Sequence, residues 1–129
     1  MQFDIRAPLG SNVSWSMYMY QSDGITPFLI AGHTFEYVVR TGPFGSAGAT
    51  EVIRLQSDVP GSPVPAGGGL IAVVNTAVQT GIQLALYPPA TTPLSPQVYY
   101  HALWMDYADP VNALNLWWGQ LMLDAAVQP

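Results

Sequence analysis

The sequence predicts an all-β fold: a two-layer antiparallel β-sandwich, immunoglobulin-like or jelly-roll-like, with about eight strands and little helix. Three observations carry this expectation. Glycine and proline number 12 each in 129 residues, and they cluster so as to cut the chain into short runs. Within the runs, apolar residues alternate with a period of two, the mark of a strand with one buried face. Only residues 113–122 carry a helical pattern, and there Gly119 and the adjacent Trp117 and Trp118 argue against winding.

Residues 13–20 place Val13, Trp15, Met17 and Met19 on one face and Ser14, Ser16, Tyr18 and Tyr20 on the other. The turn formers Gln21-Ser22-Asp23-Gly24 end that run. A short segment at 28–31 follows. Residues 34–41 alternate again, with Phe35, Tyr37 and Val39 opposite Glu36, Val38 and Arg40. Residues 42–48 are a loop and 51–56 the next strand. Residues 57–69 hold Pro60, Pro63, Pro65 and four glycines, which makes them the longest structureless stretch and a contact loop. Strands at 70–75 and 81–87 come next, the second with Ile82, Leu84 and Leu86 inward. Residues 88–96 carry four prolines and so form a rim connection, since each proline removes a ladder donor.

Residues 97–107 are the longest alternating run and are apolar or aromatic on both faces. A strand buried on both sides reads this way, and so does one whose outer face meets another subunit. The turn Asp109-Pro110-Val111-Asn112 leads to a last strand over 114–127, bent at Gly119. The expected inward set is Val13, Trp15, Met17, Phe35, Tyr37, Val39, Ile82, Leu84, Leu86, Tyr100 and Trp104.

One domain spanning residues 1–129 fits this length. Charged residues make up 9% of the chain: Arg6, Arg40 and Arg54 against eight carboxylates, a net charge of -5. Three cations cannot neutralise a run of phosphates, so nucleic acid is excluded as a partner, and anionic membranes are disfavoured likewise. Cysteine is absent, which removes disulfides and thiolate metal sites. No run approaches the length of a bilayer span, and the N-terminus lacks a signal-peptide pattern. A folded chain with so few charges is expected to cover its apolar surface with other subunits.

The chemistry-bearing residues are sparse. Asp106 and Asp109 flank a turn, where aspartate commonly bonds its own backbone, so no catalytic carboxylate pair is assigned. His33 and His101 are the only histidines, and neither has metal-ligand spacing. Gly67-Gly68-Gly69 precedes a strand rather than a helix, so it lacks the helix terminus of a phosphate cradle. No catalytic residue, cofactor or metal is expected, and the chain reads as non-enzymatic.

The aromatic residues divide between core filling, protein interface and a ligand platform. Trp117 and Trp118 are adjacent, so on a strand they point to opposite faces. One entering the core leaves the other as an interface anchor, unless a bulge at Gly119 tucks both inside. The expected contact surface comprises one of Trp117 and Trp118 together with Tyr18, Tyr20, Tyr99 and the loop prolines Pro60, Pro63 and Pro65.

The order of runs also resembles a small β-sandwich of tailed-bacteriophage virions. The matching features are an opening strand over residues 3–11, the amphipathic Val13-Ser14-Trp15-Ser16-Met17, and a crossing strand after Gly32-His33-Thr34. A strand running into a loop at 82–94, the Tyr-rich Val98-Tyr99-Tyr100-His101-Ala102-Leu103, and the closing Leu116-Trp117-Trp118-Gly119-Gln120-Leu121-Met122-Leu123 complete the pattern. The chain is similar to N-terminal domains of upper baseplate proteins and to short minor tail proteins. The resemblance implies a structural subunit of the phage tail tip or baseplate, assembled in the host cytoplasm, whose partners are other virion proteins and copies of itself. The chain is expected to stop where that domain stops, with no receptor-binding module. The alternatives are a carbohydrate-binding or adhesin module that stacks glycans on exposed Tyr and Trp, and a capsid decoration or head-completion protein.

Overall fold

The period-two runs become the strands of two facing sheets in the computed structural model, which describes residues 2–59 and 61–125. In chain order the elements are β1 (Ile5–Pro8), β2 (Val13–Tyr18), β3 (Phe35–Arg40), β4 (Glu51–Gln56), β5 (Gly69–Asn75), β6 (Thr80–Leu86), α1 (Pro88–Thr91), β7 (Gln97–Met105) and β8 (Leu114–Asp124). One sheet has five strands in the order β1-β8-β7-β3-β4, and the other has three in the order β2-β6-β5. This is the Greek-key order of an immunoglobulin-type sandwich, with a fourth strand added beside β3 and the first strand moved across to β8. The pairing is antiparallel throughout except for β1, which runs parallel to β8.

Antibody domains pin this core with an inter-sheet disulfide beside a buried tryptophan. Here the equivalent strands β2, β3 and β7 supply Trp15, Tyr37 and His101. The Trp15 ring meets Tyr37 edge-on at 5.5 Å, and the Tyr37 hydroxyl donates to His101 Nδ1 at 2.9 Å. Trp117 of β8 packs on His101 at 4.8 Å and on Phe3 at 5.2 Å. Ile53, Leu55, Ile82, Leu84, Leu86 and Leu103 complete a buried layer between the sheets.

β7 corrects two expectations. Its inward residues are Tyr99, His101, Leu103 and Met105, so Tyr100 and Trp104 face outward. Tyr99 is 2% exposed and therefore cannot be an interface residue. Tyr99 stands two residues before His101, and its hydroxyl donates to the Ser95 carbonyl, four residues back, at 2.9 Å. That is the tyrosine corner of immunoglobulin-type sandwiches, which locks the turn between β6 and β7.

Residues 28–31 form no strand; instead the Phe28 N–H reaches back to the Met19 carbonyl at 3.1 Å and closes a small hairpin. The rim connection opens with the short helix α1, which the sequence reading did not foresee. Its first two residues are Pro88 and Pro89, whose missing N–H groups cost nothing in a first helical turn. Within the expected loop at 57–69, the described residues around Val64 return to their own chain. Val64 exchanges both backbone hydrogen bonds with Arg54, at 2.8 and 2.9 Å, and so covers the edge of β4.

The irregularity in β8 falls at Leu116, which is the extra residue between the pairs Trp104–Asn115 and Leu103–Trp117, and not at Gly119. Asn115 Nδ2 donates to the carbonyls of Leu103 and Trp117 there, at 3.2 and 3.1 Å. Gly119 serves another purpose. A Cβ at Gly119 would lie 1.9 Å from the Phe3 carbonyl oxygen. That oxygen accepts from His101 Nε2 at 2.7 Å, although a regular parallel ladder would give it to the Gln120 N–H. The Asp4 carboxylate takes the Gln120 N–H instead, at 2.9 Å. The chain thus sinks a backbone carbonyl into the core through a notch that only glycine leaves open.

Candidate functional site

The two sheets present two different outward surfaces, on opposite sides of the sandwich. On the five-stranded sheet, register brings Trp118, Ala102, Val38 and Arg54 into one row across β8, β7, β3 and β4. The adjoining rows hold Gln120, Tyr100 and Arg40, and Asn115, Trp104 and Glu36. Ala102 is small and sits between the larger side chains of Tyr100 and Trp104, so the surface dips there. The loop after β3 closes one side with Pro43 and Phe44. The result is an open cleft of about 330 Å³ walled by Phe44, Tyr100, Trp104 and Trp118. Trp118 is 50% exposed and its neighbour Trp117 only 1%, so the pair does point to opposite faces.

Arg40 does not line this cleft but stands beside two of its walls, paired with Tyr100 across the sheet and close to Phe44. Its guanidinium carbon lies 5.6 Å from the centre of the Phe44 ring, within cation–π range. Its Nε is buried without a hydrogen-bond partner. Arg6 pairs with Asp124 at 3.4 Å and Arg54 with Glu51 at 3.2 Å, whereas Arg40 has no carboxylate within salt-bridge reach among the described residues.

On the three-stranded sheet the outward rows are Ser14, Ala85 and Leu70; Ser16, Gln83 and Ala72; Tyr18, Gly81 and Val74. None is charged. The small residues leave a shallow trough of about 350 Å³ along Ser14, Ser16, Gln83 and Ala85, flanked by the exposed Leu70. Neither edge strand, β2 or β5, holds a charge, a proline or a bulge, three of the usual guards on free backbone groups.

The sequence-predicted contact residues therefore do not form one surface. Trp118 lies on the five-stranded sheet, and Tyr18 and Tyr20 are exposed at the three-stranded one. Pro63 and Pro65 are half-buried in the segment that returns to β4. Trp117 and Tyr99 are core residues, and Pro60 lies outside the described residues. The sequence placed Tyr100 and Trp104 inward, and it put Arg40 on the outer face of its strand without bringing it or Phe44 to a cleft. The signal that could have placed the first two is the Tyr99–Ser95 spacing, which fixes the parity of β7.

The titratable groups carry no assembled reaction centre among the described residues. His101 is fully buried and doubly bonded: Tyr37 donates to Nδ1, so Nε2 carries the proton given to Phe3. Burial holds its pKa below the ordinary value, against the raising effects of the Phe3 carbonyl and the Asp4 charge. Burial likewise drives the Tyr37 hydroxyl well upward, so both groups are neutral. His33 Nδ1 meets Asp106 at 2.8 Å, and Asp106 also accepts the Thr34 N–H at 3.2 Å. This clasp ties the segment before β3 to the end of β7, and no hydroxyl bonds to His33 among the described residues. Asp109 accepts the N–H groups of Val111 and Asn112, which hold its carboxyl below the usual range, as a turn aspartate does. No three His, Asp or Glu side chains gather as metal ligands among the described residues. Comparison of the chain with protein-family models and with curated proteins finds no match.

Proposed function

We propose that this chain is a non-enzymatic structural subunit that works by holding neighbours together, and that its place is the virion of a tailed phage, at the tail tip or baseplate. The observation that carries the assembly reading is the three-stranded sheet, which offers an outward face and two edge strands without one charge. Soluble monomers normally guard such edges, and a flat uncharged face buried between subunits needs no desolvation of ions. Tyr18, Tyr20 and Leu70 give that face its exposed apolar area. The partners are copies of the chain and other virion proteins. The virion placement rests on the sequence resemblance and on the low overall charge.

Light scattering over a concentration series tests the assembly reading. The wild-type chain forms oligomers, and Gln83→Lys, at the centre of the uncharged face, returns it to monomer with an unchanged melting temperature. A wild-type chain that stays monomeric, alone and with the virion proteins encoded beside it, overturns the reading. Mass spectrometry of purified particles tests the placement: the chain is present at fixed stoichiometry to the tail proteins, and its absence refutes a virion role.

A further inference from the structure

We propose that the cleft on the five-stranded sheet binds a carboxylated sugar, a hexuronic or sialic acid unit, with the pyranose ring stacked on Trp118 and its carboxylate held by Arg40. The cleft lies across the sandwich from the assembling face, so this site is independent of the oligomer.

Four features select this occupant. The first is wall chemistry: Phe44, Tyr100, Trp104 and Trp118 offer flat apolar rings, and half of Trp118 is open to solvent. Its volume of about 330 Å³ sits at the small end of ligand pockets and suits one or two ring units. The second is the floor. β7 is paired on one side with β8 and on the other with β3, so its backbone groups are already engaged. An extended peptide would find no ladder to join there, and recognition must come from side chains.

The third feature is charge. Arg40 presents a planar guanidinium fork matched to a carboxylate. It is the only arginine without a carboxylate partner among the described residues. One unpaired cation fits one carboxylate. A run of phosphates or sulfates would meet no second free cation, because Arg6 and Arg54 are paired and the chain carries a net charge of -5. The fourth is hydroxyl recognition. Asn115 spends its Nδ2 on two backbone carbonyls, which leaves Oδ1 as an acceptor at the cleft, and the Gln120 amide stands in the row of Tyr100 and Arg40. The nearest carboxylate in these rows, Glu36, is occupied by Gln56 Nε2 at 2.7 Å.

Calorimetric titration with three probes tests the proposal: tri-galacturonic acid, a hyaluronan tetrasaccharide and 3′-sialyllactose. The methyl ester of whichever binds serves as the uncharged twin. At least one probe binds the full chain, and its ester binds at least 10-fold more weakly. Trp118→Ala, at a half-exposed position, abolishes binding of both forms without lowering the melting temperature. Arg40→Gln weakens the acid by at least 10-fold and leaves the ester unchanged, which a merely structural arginine would not do. Silence from all three acids overturns the proposal. So does equal affinity for acid and ester, or binding that survives Trp118→Ala.

Discussion

The two sheets of this sandwich are built on different terms. The three-stranded sheet is regular: β2, β6 and β5 pair without a register shift and carry no charged residue. The five-stranded sheet collects the exceptions. It holds all three arginines, the parallel pairing of β1, the bulge at Leu116, the buried His101 and the backbone carbonyl sunk behind Gly119. The difference teaches where each sheet's order comes from. The small sheet is held by apolar periodicity alone, so its surface is free to be flat and uncharged. The large one is held by particular polar contacts inside the core, and these fix the strands that wall the cleft.

The strongest way to break this comparison is at Gly119. Alanine there places a methyl group against the Phe3 carbonyl, a backbone atom that cannot rotate away. The N-terminal segment must lift, which costs the His101–Phe3 hydrogen bond and the packing of Phe3 on Trp117. The expected loss is about 3 kcal/mol, the upper end of overpacking penalties. Denaturant melts measure it, and hydrogen exchange should show the Phe3 amide, now bonded to Trp118, losing protection first. A loss below about 1 kcal/mol would mean that β1 docks without the notch.

The same contrast explains what could be read from the sequence. In β2, β3 and β6 one face is clearly more apolar, so the alternation of Val13, Trp15 and Met17, of Phe35, Tyr37 and Val39, and of Ile82, Leu84 and Leu86 fixes the inward side. In β7 both faces are aromatic. Tyr100 and Trp104 outrank Tyr99 and His101 in bulk, yet the corner bond of Tyr99 and the paired polar atoms of His101 decide the parity. Hydrophobicity does not encode that choice; hydrogen-bond satisfaction does. The cleft was illegible for the same reason, since its walls stand on β7 and on a loop that folds over from β3. The return of Val64 to Arg54 is a contact between backbones that side-chain patterns do not announce.

His101 sharpens the comparison through pH. Its folded pKa is lowered, so above the ordinary value of 6.5 neither the folded nor the unfolded chain holds the proton. Below 6.5 the unfolded chain takes up a proton that the folded core refuses. Stability therefore falls as the pH drops, with a slope that approaches about 1.4 kcal/mol per pH unit, until the folded-state pKa is reached. Asp4 and Tyr37 are the polar groups facing the ring, and neither reverses the sign. Urea melts between pH 7.5 and 5.5 should show the decline, and His101→Leu should remove its histidine component. A wild-type profile that does not fall across that window would contradict a neutral His101 in the core.

The smallest effect belongs to the ion pair at the outer edge of the same sheet. Arg6 and Asp124 join β1 to β8 at 3.4 Å, and both side chains are more than half exposed. Water and salt screen such a pair, and ordering two flexible side chains offsets most of the attraction. Arg6→Gln should therefore cost less than about 0.5 kcal/mol in 0.15 M salt. The parallel pairing of β1 should survive it, because backbone bonds and the Gly119 notch set the register of that strand. A cost above about 1 kcal/mol that shrinks in 1 M salt would assign β1 to electrostatics instead. The five-stranded sheet would then owe its order to the surface charges that its partner lacks, and the buried contacts around His101 would be secondary.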